Sequence, residues 1–256
     1  MVEELAISLG GIVFVVFGLF TMNKGRKERA QGGRIAETET TEVRDIQPGT
    51  VEIKGAGRLP EEATALESPF SRTEAMAVHV EIEQWETSDQ GGNWETIFEE
   101  ETAEPIAVDD GTGEVLVDLP SEGGLDLEGT ETRVDSDDEP PEAVRRYVEN
   151  ETDVEIPERH SVGPLTVGER RRYREGVLEP GEEVYVLGAA RETDAGWDRR
   201  EYVVDEPTEH GDFVLSNRSE AELISDRTRG GLISLALGAL LTVAGGVVLL
   251  QPFLSA

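Results

Sequence analysis

The side chains that could do chemistry in this chain are carboxylates, hydroxyls and three histidines, because cysteine is absent. Thiol nucleophiles, disulfides, iron–sulfur clusters and zinc sites built on thiolates are therefore excluded. His79, His160 and His210 lie far apart and show none of the spacings that bring imidazoles to one metal ion. The sequence predicts no metal site, and it favours a surface position for His79.

Motifs for nucleophilic or nucleotide chemistry are missing as well. The chain has no G-x-S-x-G, no Walker A loop and no G-x-G-x-x-G. Carboxylates number 55, so no pair can be singled out as general acid and base. Asp109 and Asp110 lie in an Asp/Gly cluster that is typical of a hairpin turn and too short for a calcium loop. We predict no catalytic residue and no cofactor.

The balance of charge restricts the partners. Lysine and arginine number 23, which leaves a formal net charge of −32. Such a surface repels nucleic acid, so no nucleic-acid partner is expected. Molar salt shortens the Debye length to about 3 Å and screens the self-repulsion. The composition is typical of proteins from salt-accumulating halophiles, haloarchaea among them. A disordered acidic region is the alternative, and the apolar alternation described below argues against it.

Two apolar stretches, residues 5–22 and 231–250, are long enough to cross a bilayer, since 18 helical residues rise about 27 Å. Basic residues follow the first stretch (Lys24, Arg26, Lys27 and Arg29) and precede the second (Arg218, Arg227 and Arg229). Basic flanks stay in the cytoplasm, and acidic residues precede the first stretch, unlike a signal peptide. We expect a multi-pass cell-membrane protein with both termini outside and residues between the spans in the cytoplasm.

Small residues recur every fourth position in the second span and fall on one face of a helix, where they permit close helix packing. They are Ser234, Gly238, Thr242 and Gly246. Because such residues are common in any membrane helix, chance is the competing interpretation. The pattern predicts helix–helix association.

Between the spans we predict a linker over residues 23–47 and an α+β, β-rich domain over residues 48–229. Apolar residues alternate from Met76 to Ile82, which indicates a strand, and residues 94–99 resemble a second strand. Pro141 and Glu142 open a short helix. Ser219 and Glu222 have capping-box spacing, so a last short helix should lead to a break at Gly230–Gly231.

The order of these segments resembles the GIDE domain, also called BAM for "beside a membrane". The segments are Ser68-Pro69-Phe70-Ser71, the strand ending at Trp85, the strand at Trp94, Asp110 to Asp118, and Tyr173 to Gly188. The resemblance implies two transmembrane helices around a recognition domain. Its most characteristic positions are Tyr173, Glu175, Gly181, Tyr185 and Gly188, for which structural roles are favoured over ligand contact.

In eukaryotes this domain belongs to a mitochondrial ubiquitin ligase that also carries a zinc-binding RING. These residues contain no cysteine to build a RING, so we expect a non-catalytic membrane scaffold that binds an unidentified protein partner, with Trp85 and Trp94 as the candidate contact. Burial of both indoles in the core is the alternative. Two other functions remain open: a ubiquitin-ligase-like component that works with a separate catalytic subunit, and a bilayer-organising protein.

Overall fold

The chain is mixed α+β with a β-rich body, as predicted. The computed structural model describes residues 2–88, 91–121, 123–136, 138–156, 160–162, 165–167, 169–193, 201–208 and 211–254, without the side chains of 2–8, 88, 160–162, 165–167 and 252–254. The helices are α1 (Val2–Glu37), α2 (Glu142–Glu151) and α3 (Glu220–Leu254). The strands are β1 (Gly49–Arg58), β2 (Leu66–Glu67), β3 (Glu74–Ala75), β4 (Ala77–Ser88), β5 (Gly91–Ala103), β6 (Ile106–Asp109), β7 (Glu114–Val117), β8 (Gly129–Val134), β9 (His160–Val162), β10 (Leu165–Val167), β11 (Arg171–Leu178), β12 (Glu183–Thr193), β13 (Glu201–Asp205) and β14 (Val214–Ser216).

The chain divides into two compact units. The β domain comprises Thr40–Arg218, and the helical unit comprises Met1–Glu39 and Ser219–Ala256.

Five strands of the β domain close into a barrel. β1 pairs with β6, β6 with β7, β7 with β13, β13 with β12, and β12 returns to β1. All these pairs are antiparallel except β7–β13, and β14 extends the barrel wall beside β12. A five-stranded Greek-key barrel is the architecture of OB-folds. Ile53, Val186, Val204 and Leu215 are fully buried in its core, which supplies the apolar burial that holds it closed.

A four-stranded antiparallel sheet with the order β5-β4-β11-β8 is inserted into the sequence of this barrel. Strands β2 to β5 come between β1 and β6, and strands β8 to β11 come between β7 and β12. Met76, Ala77 and Leu178, where β4 begins and β11 ends, are buried in the barrel core. The sheet and the barrel therefore share apolar packing.

One face of the inserted sheet packs under α2. The alternation predicted from Met76 to Ile82 is confirmed, since Val78, Val80 and Ile82 are buried on this face. The predicted helix is α2, which buries Val144 and Val148 at helical spacing against the same face. The opposite face carries a ladder of charges between β4, β11 and β8. The sheet thus has one apolar and one polar side.

The helical unit differs from the prediction in two places. The linker expected over 23–47 is partly helical, because α1 continues to Glu37 and packs along α3. The break expected at Gly230–Gly231 is absent, because α3 runs without interruption to Leu254. A helical glycine costs about 1 kcal/mol, and the packing of Gly231 against α1 offsets that cost.

Among the described residues, one helix is long and apolar enough to cross a membrane, and it spans Glu220–Gln251. It contains the predicted span 231–250. The other predicted span, residues 5–22, begins among residues whose side chains are not described, so it stays a prediction.

Candidate functional site

The two candidate contact residues lie side by side at one end of the inserted sheet. Trp85 on β4 is paired directly with Trp94 on β5, and their rings meet edge to face with centroids 5.3 Å apart. Both residues are half-buried. Trp85 lies directly over Gly92, where any side chain would collide with its ring. The indoles therefore form a fixed pair that is neither core nor fully exposed.

Two arginines cover the faces of these indoles. The Arg170 guanidinium lies 4.7 Å from the ring centroid of Trp85, and the Arg172 guanidinium lies 3.9 Å from that of Trp94. Arg172 is held in turn by the Glu83 carboxylate at 3.0 Å. Cation–π contacts of this kind contribute about 0.5–1 kcal/mol where they are exposed. The four side chains form a preorganised surface, which we call the Trp–Arg cluster.

Carboxylates surround the opposite side of the same hairpin. Repulsion from Glu95 and a hydrogen bond with it raise the pKa of Glu86, and Glu169 adds to the repulsion. Glu169 also lines a cavity of about 380 Å³ beside α2, whose other acidic groups are Asp135, Asp138, Glu139, Glu142 and Glu149. Arg171, at its floor, is engaged by the side chain of Gln84 and the carbonyl of Glu155. The cavity is therefore lined mainly by carboxylates, and its two arginines, Arg145 and Arg171, already have partners.

Glu175, one of the positions that carry the resemblance to GIDE domains, is a buried carboxylate that fixes a loop. It is 1% exposed and accepts hydrogen bonds from the amides of Phe70 at 2.6 Å and Ser71 at 2.9 Å. These amides belong to the Ser68-Pro69-Phe70-Ser71 segment, whose next residue, Arg72, has a positive φ of 60°. The carboxylate satisfies amides that the turn leaves without backbone partners. The structural role favoured from the sequence stays a prediction.

Tyr173, two residues earlier on β11, is buried under α2. Its ring meets that of Phe70 edge to face, and burial raises the pKa of its hydroxyl. Tyr147 of α2 touches the same Phe70 ring and donates to the Glu100 carboxylate. Tyr173 therefore connects the sheet, the loop and the helix.

The other three characteristic positions belong to the barrel. The Tyr185 hydroxyl donates to the buried Glu52 carboxylate at 2.9 Å, and the Lys54 ammonium neutralises that carboxylate at 2.9 Å. Gly181 has a φ of 91° in the turn before β12, which favours glycine. A side chain at Gly188 would lie 2.9 Å from the carbonyl oxygen of Asp205. These contacts close the barrel between β1, β12 and β13.

The helix-packing candidates lie along the α1–α3 contact with one exception. A Cβ on Gly238 would lie 2.6 Å from the carbonyl oxygen of Gly18, and Ser234 and Thr242 flank Gly25 and Gly18. A Cβ on Gly246 would meet no atom within 4 Å. The residue that approaches α1 at that level is Gly245.

Sequence reasoning missed a seven-residue glycine repeat on both helices. Gly11, Gly18 and Gly25 of α1 face Gly245, Gly238 and Gly231 of α3. Each step of seven along α1 is matched by a step of seven back along α3, as an antiparallel pair requires. A seven-residue period is the spacing of a left-handed helix pair. Reading both helices at this spacing, rather than one helix at every fourth residue, would have found the contact.

Among the described residues, no hydrogen bond joins a histidine to a hydroxyl nucleophile. His79, the histidine whose side chain is described, contacts the Glu99 carboxylate at 3.1 Å and no hydroxyl. His160 has no described side chain, and His210 lies outside the described residues. The sequence prediction of no catalytic residue stays a prediction.

These features define a class: a β-barrel domain with an inserted sheet, connected at each end to a long helix, one of which is a candidate membrane span. Residues 78–249 match the sequence profile of the GIDE family, described as E3 ubiquitin ligase. The match begins in β4 and ends in α3, and it covers well over half of the chain, so the chain belongs to the GIDE family. No curated protein and no solved structure is significantly similar to it.

Proposed function

We propose that this GIDE-family chain is a membrane-anchored recognition module that binds a protein partner through its β domain and performs no transfer chemistry itself. The helices hold the domain beside the membrane, and the Trp–Arg cluster makes the contact. Family membership and the candidate span support the placement at a membrane. The geometry of the Trp–Arg cluster supports the contact site.

Both long helices are proposed to span the bilayer. Large apolar side chains remain exposed on α1 as well as on α3, among them Phe14, Phe17 and Phe20, of which Phe20 is 68% exposed. Soluble monomeric proteins rarely expose so large an apolar surface, and such surfaces mark sites of contact with a membrane or another protein. The basic residues around Lys24–Arg29 and Arg218–Arg229 orient the protein with both termini outside and the β domain in the cytoplasm.

The observation that carries the recognition proposal is the half-buried Trp85–Trp94 pair. Tryptophan and arginine are enriched among residues that dominate binding energy at interfaces. Here Arg170, Arg172 and Gly92 hold the pair in place, so binding would not have to order it. Less ordering on binding means less entropy lost, which favours affinity.

The composition supports the proposed lack of transfer chemistry. A RING finger coordinates zinc through cysteine and histidine, and these 256 residues contain no cysteine. The purified protein should therefore transfer neither ubiquitin nor a ubiquitin-like modifier by itself. Transfer by the purified protein alone would overturn this part of the proposal.

A ubiquitin-ligase component is the second candidate, because the family is described as E3 ubiquitin ligase. In that function the β domain would recruit the substrate, and a separate subunit would supply the zinc module. Reconstitution discriminates between the two functions. Modifier transfer that requires both this chain and a RING-type subunit would establish the second candidate.

The test compares capture of the partner from membranes solubilised in mild detergent at molar KCl. Trp94→Ala should lose the partner, whereas Leu116→Ala, which truncates a 48% exposed apolar side chain elsewhere in the β domain, should retain it. The unfolding midpoint is measured for both variants. Retention of the same partner by a folded Trp94→Ala protein would contradict the contact site.

A further inference from the structure

Strands β4 and β5 bring one histidine and two glutamates together on the polar face of the inserted sheet. His79 is paired directly with Glu101, and Glu99 lies one diagonal step away on the same face. The ligand atoms of all three side chains lie within 4.8 Å of one another. Nitrogen from imidazole and oxygen from two carboxylates form a donor set that suits divalent first-row metals.

Glu101 is half-buried on β5, directly opposite His79 in the pairing with β4. Its carboxylate is therefore partly desolvated and lies beside a nitrogen donor.

The side of His79 away from Glu101 carries no side chain on the next strand. Its partner on β11 is Gly176, and the partner of Gly176 on β8 is Gly129. Leu127 covers Gly176, since a Cβ there would lie 2.8 Å from the Leu127 Cβ. No side chain of β11 or β8 therefore projects beside His79 on this row of the sheet, and Leu127 lies next to it.

We propose that His79, Glu99 and Glu101 bind one divalent transition-metal ion, for which Zn²⁺ is the reference. Three protein donors leave a fourth tetrahedral position to water. Ligand atoms that each lie about 2.1 Å from one zinc ion are closer to one another than 4.8 Å. The three side chains must therefore move closer together when the ion binds. The exposed Glu99 side chain, 59% accessible, can rotate to allow this. The ion replaces the hydrogen bond between His79 Nε2 and Glu99 and displaces any proton on His79.

The experiment uses full-length, tag-free, chelator-treated protein in detergent at molar KCl, which suppresses loose association of cations with the acidic surface. ZnCl₂ is titrated calorimetrically, and CoCl₂ is titrated with visible absorption as a second readout. We expect one site per chain. His79→Ala and Glu99→Gln should each weaken binding at least about tenfold.

The matched control is Glu95→Gln, which removes a carboxylate from the same strand outside the donor set. It should leave affinity and stoichiometry unchanged. Glu99 is exposed, so its substitution tests the site without endangering the fold. The proposal is overturned if the wild type shows only weak binding at many sites, or if His79→Ala and Glu99→Gln bind Zn²⁺ as the wild type does.

Discussion

Gly18 and Gly238 face each other across α1 and α3 so closely that neither position has room for a side chain. A Cβ on Gly18 would lie 2.7 Å from the carbonyl oxygen of Gly238, and a Cβ on Gly238 would lie 2.6 Å from the carbonyl oxygen of Gly18. This reciprocity fixes the register of the helix pair. Backbone contact of this kind is how helices associate where lipid removes the hydrophobic driving force.

Gly238→Leu should separate the helices and destabilise the helical unit by about 1–3 kcal/mol, because overpacking forces the backbones apart. The control is Gly246→Leu, in the same helix, where an added Cβ meets no atom within 4 Å. Thermal unfolding of the full-length protein in detergent measures both. Equal midpoints for the two variants would contradict the register.

Glu175→Gln should destabilise the β domain by about 1.5–3 kcal/mol, because it removes a buried charge that accepts two amide hydrogen bonds. The two backbone amides bond different carboxylate oxygens, so a glutamine side chain would turn its NH2 donor toward one of them in either orientation. Denaturant unfolding gives the change, with the exposed Glu179→Gln as control. If Glu175→Gln lowers the free energy of unfolding by less than the control does, the loop at residues 68–71 does not depend on Glu175.

Asp110 should make stability depend on pH in the acidic range. Desolvation raises its pKa, but hydrogen bonds from Val43, Thr112 and Gly113 outweigh that effect and lower the pKa below its ordinary value of 3.8. The hydrogen bonds to ionised Asp110 stabilise the folded state at pH values above 3.8. This stabilisation is lost as the pH falls through the lower pKa that Asp110 has in the folded state. The difference in unfolding free energy between wild type and Asp110→Asn should shrink over that window. A constant difference would contradict the assignment.

The isolated β domain, residues 40–218, should unfold cooperatively in molar KCl and lose stability in dilute buffer. The chain carries a formal charge of −32, and molar salt screens repulsion beyond about 3 Å. Urea unfolding at low and high KCl measures the effect. Equal midpoints would show that screening is not what makes this charge tolerable.

Local patterns predicted the elements that carry their own signal. The alternation before Ile82, the helix at α2 and the capping box are all present. In the capping box the Ser219 amide donates to the Glu222 carboxylate at 3.0 Å, and the Glu222 amide donates to the Ser219 hydroxyl at 3.4 Å. The hairpin at Asp109–Asp110 was also predicted correctly, and it joins β6 to β7.

Long-range pairing could not be predicted from the sequence. β1 is rich in glycine, and it pairs with β12, which lies more than a hundred residues later in the sequence. No local sequence pattern therefore predicts that the barrel closes. Arg172 and Arg174 of β11 lie on the charged face of the sheet and Arg171 lies on the opposite face, so arginines on both faces mask the alternation of a strand. The cluster of His79, Glu99 and Glu101 depends on the register between two strands and on a bulge after Ile82.

The central claim is that the Trp–Arg cluster contacts a protein partner on the cytoplasmic side of the membrane. Site-specific photocrosslinking in intact cells tests it most directly, with the photoreactive residue placed at Thr87 beside the Trp pair or at Leu116 on β7. Both side chains are exposed, so either position accepts the probe. The account predicts a discrete crosslink to one cytoplasm-facing protein from Thr87 and none to that protein from Leu116. Crosslinks that are the same from both positions, or that appear only from probes on the lipid-facing surface of α1 and α3, would contradict it.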